Sequence, residues 1–298
     1  MTQQTVENMI TRKPVKLPAA LAGAMEVTQG FVAPDPDCMN IVITGRPGCG
    51  KTSFVSSNPR LLLFDLERGS ETVIDPACIR LQVKRQSTTA ADDLRRSITS
   101  LVAAYPLDKD MQSSISAVGF DSFDALVKMF SRDLCQKHNL EDPGEYKGGH
   151  GKGYFKIGDE LFDMFEQLRR VGLGIVLTAH QALEDVAGVM VPTLNVSASY
   201  RNRLIQWRTL MFKMESVQGK VKTRLKSGMS IETTSKDPKD RQFVLITDTS
   251  TTAEDYDSPK SNVPLESGLV IPARNGWGTY RDAYSRAVEI RRASAEQG

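Results

Sequence analysis

Short runs of consecutive apolar residues alternate along this chain with longer segments in which apolar residues recur at helical spacing. The runs are typical of strands buried on both faces of a parallel sheet, and they occur at 41–43, 61–64, 79–83, 115–120 and 174–178. The periodic segments are typical of amphipathic helices, with apolar stripes at Leu94, Ile98, Leu101 and Val102, at Phe123, Leu126, Val127, Phe130 and Leu134, and at Leu161, Phe162, Phe165 and Leu168. This alternation predicts an α/β fold in which a mainly parallel sheet carries helices on both faces.

The pattern changes in the last third of the chain, where strand-like segments follow one another without intervening helices. Segments at 209–215, 220–225 and 242–247 are joined by short turns, and they predict an antiparallel C-terminal extension of the sheet. A final helix is predicted from Tyr280 onward, with an inner face formed by Ala283, Tyr284, Ala287 and Ile290.

Polar segments flank this predicted core. Prolines interrupt residues 1–37, which predict an N-terminal arm with one short helix at 17–25. Residues 248–267 are polar and predict a mobile segment before the last helix. We therefore divide the chain into an arm at 1–37, a core at 38–247 and a C-terminal region at 248–298.

Composition adds little beyond a soluble α/β protein. The chain has 298 residues, a net charge of +2, 40% hydrophobic residues and 25% charged residues. It has no apolar stretch approaching a membrane span of ~20 residues and no signal-peptide core, so we expect no membrane association. The four cysteines lack paired spacing, which favours a reducing cytoplasm over a disulfide framework or a zinc site.

A phosphate-binding loop is the strongest motif in the chain. The pattern Gly45-x-x-x-x-Gly50-Lys51-Thr52 follows the apolar run at 41–43 and precedes a predicted helix, which is the context this loop requires. Lys51 is expected to reach the β- and γ-phosphates of a nucleotide, and the hydroxyl of Thr52 to bind magnesium. The predicted nucleotide-binding residues are Gly45, Arg46, Pro47, Gly48, Cys49, Gly50, Lys51, Thr52 and Ser53.

Three further polar residues follow predicted parallel strands, whose carboxyl ends share one edge of a sheet. Asp121 suits the acid that holds magnesium, or alternatively the N-cap of the helix that follows it. Since Asp121 is followed by Ser122 and not by an acid, Glu67 is the candidate base that polarises the attacking water; the alternative is a surface ion pair with Arg68. His180 is a candidate sensor of the γ-phosphate, or alternatively a buried core histidine.

These motifs, in this order, resemble those of the RecA-like core ATPases. The resemblance spans about residues 40–226 and is strongest to phage P-loop nucleotide-binding proteins of the single-strand annealing and recombination type. It implies a RecA-like sheet, ATP and Mg²⁺ as cofactors, Glu67 as the water-activating glutamate and Asp121 as the magnesium aspartate. His180 stands where RecA itself has a glutamine sensor.

The same resemblance implies two DNA-facing loops, at 143–156 and 181–200. Lysines, a histidine and tyrosines among flexible glycines suit contact with a nucleic-acid backbone and stacking on bases, whereas outward-facing charges on solvated strands are the plainer interpretation of the later basic run. The candidate DNA contacts are Lys147, His150, Lys152 and Tyr154 in the first loop, and Arg201 and Arg203 after the second.

Three later basic residues have a separate candidate role. Lys220, Lys222 and Arg224 are expected to reach the γ-phosphate on a neighbouring subunit, as trans-acting basic residues do in RecA-like assemblies. Hydrolysis would then depend on a homo-oligomer.

The sequence thus predicts a magnesium-dependent, DNA-stimulated P-loop ATPase that binds single-stranded DNA in phage-type recombination, annealing or repair. Expected partners are single-stranded DNA, further copies of the chain, and a single-strand-binding protein or replisome component. The expected location is the cytoplasm, that of the bacterial host if the protein is phage-encoded. Two alternatives are a replication accessory ATPase such as a helicase loader, and a strand-pairing protein that uses ATP as a switch with negligible turnover.

Overall fold

A computed structural model of the protein describes residues 35–296, with gaps at 74–75, 83–88, 187, 219, 225–229, 235–240, 247–264, 266–267 and 273–274. The predicted helix at 17–25 lies outside the described residues, and so does nearly all of the polar segment at 248–267.

Strands and helices alternate through the first half of the described chain, as the apolar pattern predicts. The strands are β1 (Asn40–Gly45), β2 (Leu61–Asp65), β3 (Ile79–Gln82), β4 (Ala117–Asp121), β5 (Gly174–Val186), β6 (Val189–Leu194), β7 (Leu210–Gln218), β8 (Lys220–Arg224), β9 (Ser230–Thr234), β10 (Arg241–Ile246) and β11 (Leu269–Ile271). The helices are α1 (Lys51–Ser56), α2 (Ala90–Ala104), α3 (Lys109–Ser114), α4 (Phe123–His138), α5 (Lys152–Arg170), α6 (Ala198–Trp207) and α7 (Gly276–Glu296). None of these helices combines the length and the apolar character needed to cross a membrane.

Nine of the described strands form one sheet, in the order β11-β10-β7-β1-β5-β4-β2-β3, with β6 paired to β5. Strands β7, β1, β5, β4, β2 and β3 are parallel to one another, which the buried apolar runs predict. Strands β10 and β11 add to one edge antiparallel, so the predicted C-terminal extension is confirmed. The fold is α/β with a RecA-like, mainly parallel sheet.

One predicted strand of that extension lies elsewhere. The segment at 220–225 was expected to widen the main sheet, but β8 pairs with β9 in a separate two-stranded sheet. Strand β10 takes the place beside β7 instead, because Val244 and its neighbours pair antiparallel with the outer half of β7.

Both faces of the sheet are covered. On one face, Val42, Val118 and Leu177 join a core cluster with the apolar stripes of α2, α4, α5 and α6. On the other face, α1 and α7 pack together, since the ring of Phe54 lies 5.3 Å from that of Trp277. Alternate residues of each buried strand therefore meet different helical layers, as the period of a strand requires.

The first predicted DNA-facing loop is shorter than expected. Helix α5 begins at Lys152, so Tyr154 and Lys156 belong to its first turns. The cause is close packing at Gly153, where a Cβ atom would lie 1.9 Å from the carbonyl oxygen of Pro143. Glycine therefore allows the start of α5 to pack against the turn at Pro143–Glu145. The pattern of glycines alone suggests an irregular loop over this whole segment.

The second predicted loop is mostly regular structure as well. Strand β5 continues past His180 and pairs antiparallel with β6, and α6 then begins at Ala198. No apolar run in the sequence predicts the extension of β5. Its residues 183–185 are exposed, because the helices that cover the central sheet do not cover this hairpin.

Helix α7 begins earlier than predicted and buries a different last position. Trp277, Tyr280, Ala283, Tyr284, Ala287 and Val288 are buried. Ile290, predicted for the inner face, is 63% exposed, so that prediction is wrong. The buried stripe follows Tyr280, Tyr284 and Val288 at a spacing of four, which turns Ile290 away from the core.

Candidate active site

The carboxyl ends of four parallel strands bring the predicted site residues to one edge of the sheet. Gly45 at the end of β1 is in register with His180 on β5. Asp65 at the end of β2 is in register with Asp121 at the end of β4. This is the edge at which parallel α/β sheets bind their ligands.

The phosphate-binding loop has the backbone that its glycines predict. Gly48 and Gly50 have φ values of 76° and 93°, in the left-handed region that favours glycine. A Cβ atom on Gly45 would lie 2.4 Å from the carbonyl oxygen of Met214, so the loop also requires glycine at its first position. Lys51 then opens helix α1 directly after the loop. Such a loop directs backbone N–H groups toward a bound phosphate.

Lys51 is held inside this loop. Its side chain is almost fully buried, and its Nζ atom donates hydrogen bonds to the carbonyl oxygens of Gly45 and Arg46 at 2.8 and 3.0 Å. An ammonium group in this place meets the phosphates of any nucleotide that the loop encloses.

Thr52 and Asp121 are in direct contact. The hydroxyl of Thr52 donates a hydrogen bond to Oδ2 of Asp121 at 2.7 Å, and the hydroxyl of Thr178 donates to Oδ1. Burial raises the pKa of the Asp121 carboxyl, although the two hydroxyl groups oppose this effect. A hydroxyl and a carboxylate at the end of a phosphate-binding loop are oxygen donors of the kind Mg²⁺ prefers, so these residues fit the ion.

Ser122, and not Asp121, caps helix α4. The Ser122 side chain accepts a hydrogen bond from the backbone N–H of Ala125. The alternative role for Asp121 as an N-cap is therefore not what the structure shows.

Glu67 lies beyond the end of β2 and reaches across to the neighbouring strand. Its Oε1 atom accepts a hydrogen bond from the hydroxyl of Ser122 at 2.6 Å. Arg68, the alternative ion-pair partner, forms an ion pair with Glu71 at 3.1 Å. The carboxylate of Glu67 thus stands beside the strand that carries Asp121.

The turn that carries Glu67 is tied down by a buried acid. Asp65, which is fully buried, accepts hydrogen bonds from the backbone N–H of Ser70 at 3.1 Å and from the Ser70 hydroxyl. Arg80 on β3 donates to the carbonyl oxygen of Ser70 at 2.7 Å. These contacts fix both ends of the short segment in which Glu67 lies.

His180 is partly exposed at the site edge, and one carboxylate holds it twice. Oδ1 of Asp124 lies 3.2 Å from the backbone nitrogen of His180, and Oδ2 lies 3.0 Å from its Nδ1 atom. Oε1 of Glu67 lies 3.8 Å from the same Nδ1 atom. The hydrogen bond with Asp124 raises the pKa of His180, while burial and the charge of Lys51 act in the opposite sense.

Asp124 is ionised throughout the neutral range. Burial alone would raise the pKa of its carboxyl, but the hydrogen bonds with His180 and the charge of its ring oppose burial, and the pKa is lowered to about 2. The ligand-type atoms of Glu67, Asp124 and His180 all lie within 4.8 Å of one another, which is close enough to hold a metal ion. Because an ionised carboxylate can only accept, Nδ1 of His180 must donate to Asp124, whether the ring is neutral or protonated.

The sequence reasoning missed three members of this site. Thr178, Ser122 and Asp124 each bind one of the predicted residues through a side-chain hydrogen bond. Thr178 and Ser122 flank the predicted residues closely in sequence, which is a usable signal. Asp124 gives none, because an acid in the first turn of a helix is ordinary.

Three of the candidate DNA contacts have exposed side chains near the start of α5. Lys147, His150 and Lys152 are exposed, and the Nζ atom of Lys147 lies 5.5 Å from the ring centre of Tyr146. Phe155, one turn into α5, is 58% exposed and was not singled out from the sequence.

The Nζ atom of Lys152 donates to the carbonyl oxygen of Lys147 at 3.3 Å, and the remaining candidate DNA contacts that the structure describes also have partners within the protein. The hydroxyl of Tyr154 donates to Asp142 at 2.8 Å. Arg201 is mostly buried and pairs with Glu184 at 2.8 Å. Arg203 pairs with Asp159 at 2.8 Å. The side chains of the trans-acting candidates Lys220, Lys222 and Arg224 lie outside the part of the chain that the structure describes.

Comparison with known proteins gives one family. Residues 38–253 match the family model described as an AAA domain. No curated protein matches the chain.

Proposed function

This chain belongs to the AAA domain family of P-loop ATPases, and on that premise we propose that it hydrolyses ATP with Mg²⁺ and couples turnover to single-stranded DNA. The reaction is an in-line attack of water on the γ-phosphate.

Each residue at the strand edge has one role in this proposal. Lys51 and the loop N–H groups hold the β- and γ-phosphates, and Thr52 and Asp121 hold the magnesium ion. The ion neutralises charge on the phosphate oxygens when bound. Glu67 accepts the proton of the attacking water, and His180 contacts the γ-phosphate.

The observation that carries this proposal is the contact between separate strand ends. Hydrogen bonds join Thr52 to Asp121 and Ser122 to Glu67, and His180 lies 3.8 Å from Glu67 while in register with Gly45. The side chains of Glu67, His180 and Asp121 therefore lie around the end of one phosphate-binding loop, which supports the roles proposed for them. Ordinary surface polar residues would have no reason to converge on it.

Single-stranded DNA is the proposed partner because basic and aromatic groups are exposed together at the start of α5. Lys147, His150 and Lys152 supply charge, and the exposed ring of Phe155 suits base stacking. The hydroxyl of Tyr200 on α6 donates to the carbonyl oxygen of Tyr154 at 2.9 Å. This contact joins α6 to the start of α5, so the two candidate DNA-facing segments are in direct contact.

The biological role we propose is phage-type DNA recombination, annealing or repair in the cytoplasm. The four cysteines, all within the described residues, form no disulfide, which supports a reducing compartment. We further propose a homo-oligomer in which Lys220, Lys222 and Arg224 act on the nucleotide of a neighbouring subunit. ATPase turnover per subunit should then rise with protein concentration and fall in Lys222→Ala.

The experiment that tests the function is ATP hydrolysis by the full chain with Mg²⁺, measured with and without single-stranded DNA. The proposal requires turnover that disappears on chelation of Mg²⁺ and rises when single strands are added. Turnover that double-stranded DNA or a helicase subunit stimulates instead would favour the loader alternative, and tight DNA binding without turnover would favour the strand-pairing switch.

A further inference from the structure

Asp124 has no role in the reaction as proposed above, yet it is buried and directed at a residue of the site. It lies in the first turn of α4, is 4% exposed, and both of its oxygens face His180. Resting on the proposed ATP hydrolysis, we infer that Asp124 is the positioning residue for His180: it holds the backbone and the ring of His180 together, and it directs Nε2 of the protonated ring to donate to a phosphate oxygen.

The double contact carries the argument. A carboxylate that accepted only from Nδ1 would allow the ring to swing about the side-chain bonds. Because Asp124 also accepts from the backbone N–H of His180, it holds both the ring and the backbone of β5 at the point where the parallel pairing with β1 ends. Metal-ligating histidines are oriented in the same way, by donating the second ring N–H to a carboxylate.

Charge explains which ring nitrogen carries the proton. Ionised Asp124 only accepts hydrogen bonds, so Nδ1 of His180 keeps its proton even when the imidazole is neutral. Three charged groups face this ring: Asp124 from α4, Glu67 from the turn after β2, and Lys51 from α1. The two acids favour the imidazolium and Lys51 opposes it.

Asp124 also keeps Glu67 available for water. Glu67 lies 3.8 Å from the same Nδ1 atom, just beyond hydrogen-bond distance, while Asp124 lies 3.0 Å away. Without Asp124, His180 would turn to Glu67, and the proposed base would be bound in an ion pair. A positioning role therefore predicts that loss of Asp124 affects both His180 and Glu67, which Asp124 keeps from pairing with each other.

The test is the protonation state of His180 in the full chain, read by nitrogen-15 NMR of the histidine rings. The chain has only 3 histidines, so the His180 signals can be assigned by comparison with His180→Gln. In the wild type the neutral ring should carry its proton on Nδ1. In Asp124→Asn the amide oxygen of the new side chain would keep the contact with the backbone of His180, and the amide NH₂ group would face Nδ1. The proton of the neutral ring should therefore move to Nε2. The pKa of His180 should fall by about one unit, because the carboxylate charge is lost.

A matched control separates this effect from general damage to α4. Asp133→Asn removes an acid of the same helix that pairs with Arg95 at 2.8 Å and Lys137 at 3.0 Å, and it should leave the His180 signals unchanged. ATP turnover should fall in Asp124→Asn, because the ring loses the carboxylate that orients it and favours its protonated form, and it should partly return in Asp124→Glu, which restores a carboxylate.

Two results overturn the inference. One is a wild-type His180 whose neutral form carries the proton on Nε2, which needs no variant at all. The other is an unchanged tautomer and pKa of His180 in folded Asp124→Asn. Absence of ATP turnover in the wild type would defeat the proposed function instead, and the NMR result would still decide the role of Asp124.

Discussion

The hydroxyl of Ser122 donates a hydrogen bond to the carboxylate of Glu67 at 2.6 Å, and this contact joins the ends of β4 and β2. Ser122 follows Asp121, the proposed magnesium aspartate, directly, at the position where an acid would place the base on the same strand. The chain instead uses a hydroxyl there to hold an acid that comes from the neighbouring strand. The proposed base Glu67 and the proposed magnesium ligand Asp121 are thus close in space without being adjacent in sequence.

Removal of this hydroxyl should slow hydrolysis more than it weakens nucleotide binding. Ser122→Ala frees Glu67, and we expect turnover to fall about tenfold with little change in ATP affinity. The variant also loses the cap of α4, which costs about 1 kcal/mol of stability. Ser122→Thr retains a hydroxyl and should recover both properties. Equal turnover in Ser122→Ala and the wild type would show that the contact has no part in catalysis.

The Asp124–His180 pair should make stability depend on pH in a defined window. His180 has a pKa raised above 6.5, so its contribution is complete below that pH and is lost as pH rises through the raised pKa. Asp124 has a pKa lowered from 3.8 to about 2, so its contribution is present above 3.8 and is lost as pH falls toward 2. The wild type should therefore exceed Asp124→Asn in free energy of unfolding by about 1–2 kcal/mol near pH 5. Urea unfolding should show a smaller gap near pH 9, and a gap that is equal at both values would contradict the pairing.

Two glycines of α5 should respond oppositely to alanine. A Cβ atom on Gly153 would collide with the backbone of Pro143, whereas one on Gly158 would meet the end of the flexible Arg203 side chain at 2.7 Å. In a helix interior, alanine is more favourable for stability than glycine by about 1 kcal/mol. We expect Gly153→Ala to lose about 2 kcal/mol of stability and Gly158→Ala to be neutral or stabilising. Thermal unfolding of the two variants checks this. A Gly153→Ala variant as stable as the wild type would contradict the close packing of the start of α5 against Pro143.

The exposed lysines near the start of α5 should contribute to the salt dependence of DNA binding. The double variant Lys147→Ala and Lys152→Ala should bind single strands more weakly and lower the salt slope by about one to two units. Lys109→Ala is the matched control, since Lys109 is exposed on α3, in the segment before β4 begins. A titration of labelled oligonucleotide over a range of salt concentrations gives the slopes. An unchanged slope in the double variant would exclude this surface.

The sequence predicts the strands, the phosphate-binding loop and the polar strand ends because each has a local cause. Buried parallel strands need consecutive apolar residues, and a loop around phosphate needs glycine at Gly48 and Gly50. The partners of the site were not predictable in this way. Asp124 meets His180 across two elements that are 56 residues apart, and only the packed sheet brings them together. Predicted loops failed where pairing or packing with another segment made them regular, as β6 does for β5 and Pro143 does for α5.

The most direct test of the central claim is single-turnover hydrolysis of ATP by Glu67→Gln. Glu71→Gln is the matched control, because Glu71 lies in the same turn and pairs with Arg68. With ATP affinity measured in parallel, Glu67→Gln should retain binding and lose at least about 100-fold in hydrolysis rate, and Glu71→Gln should stay near the wild-type rate. A Glu67→Gln protein that hydrolyses ATP as fast as the wild type would contradict the assignment of Glu67 as the base.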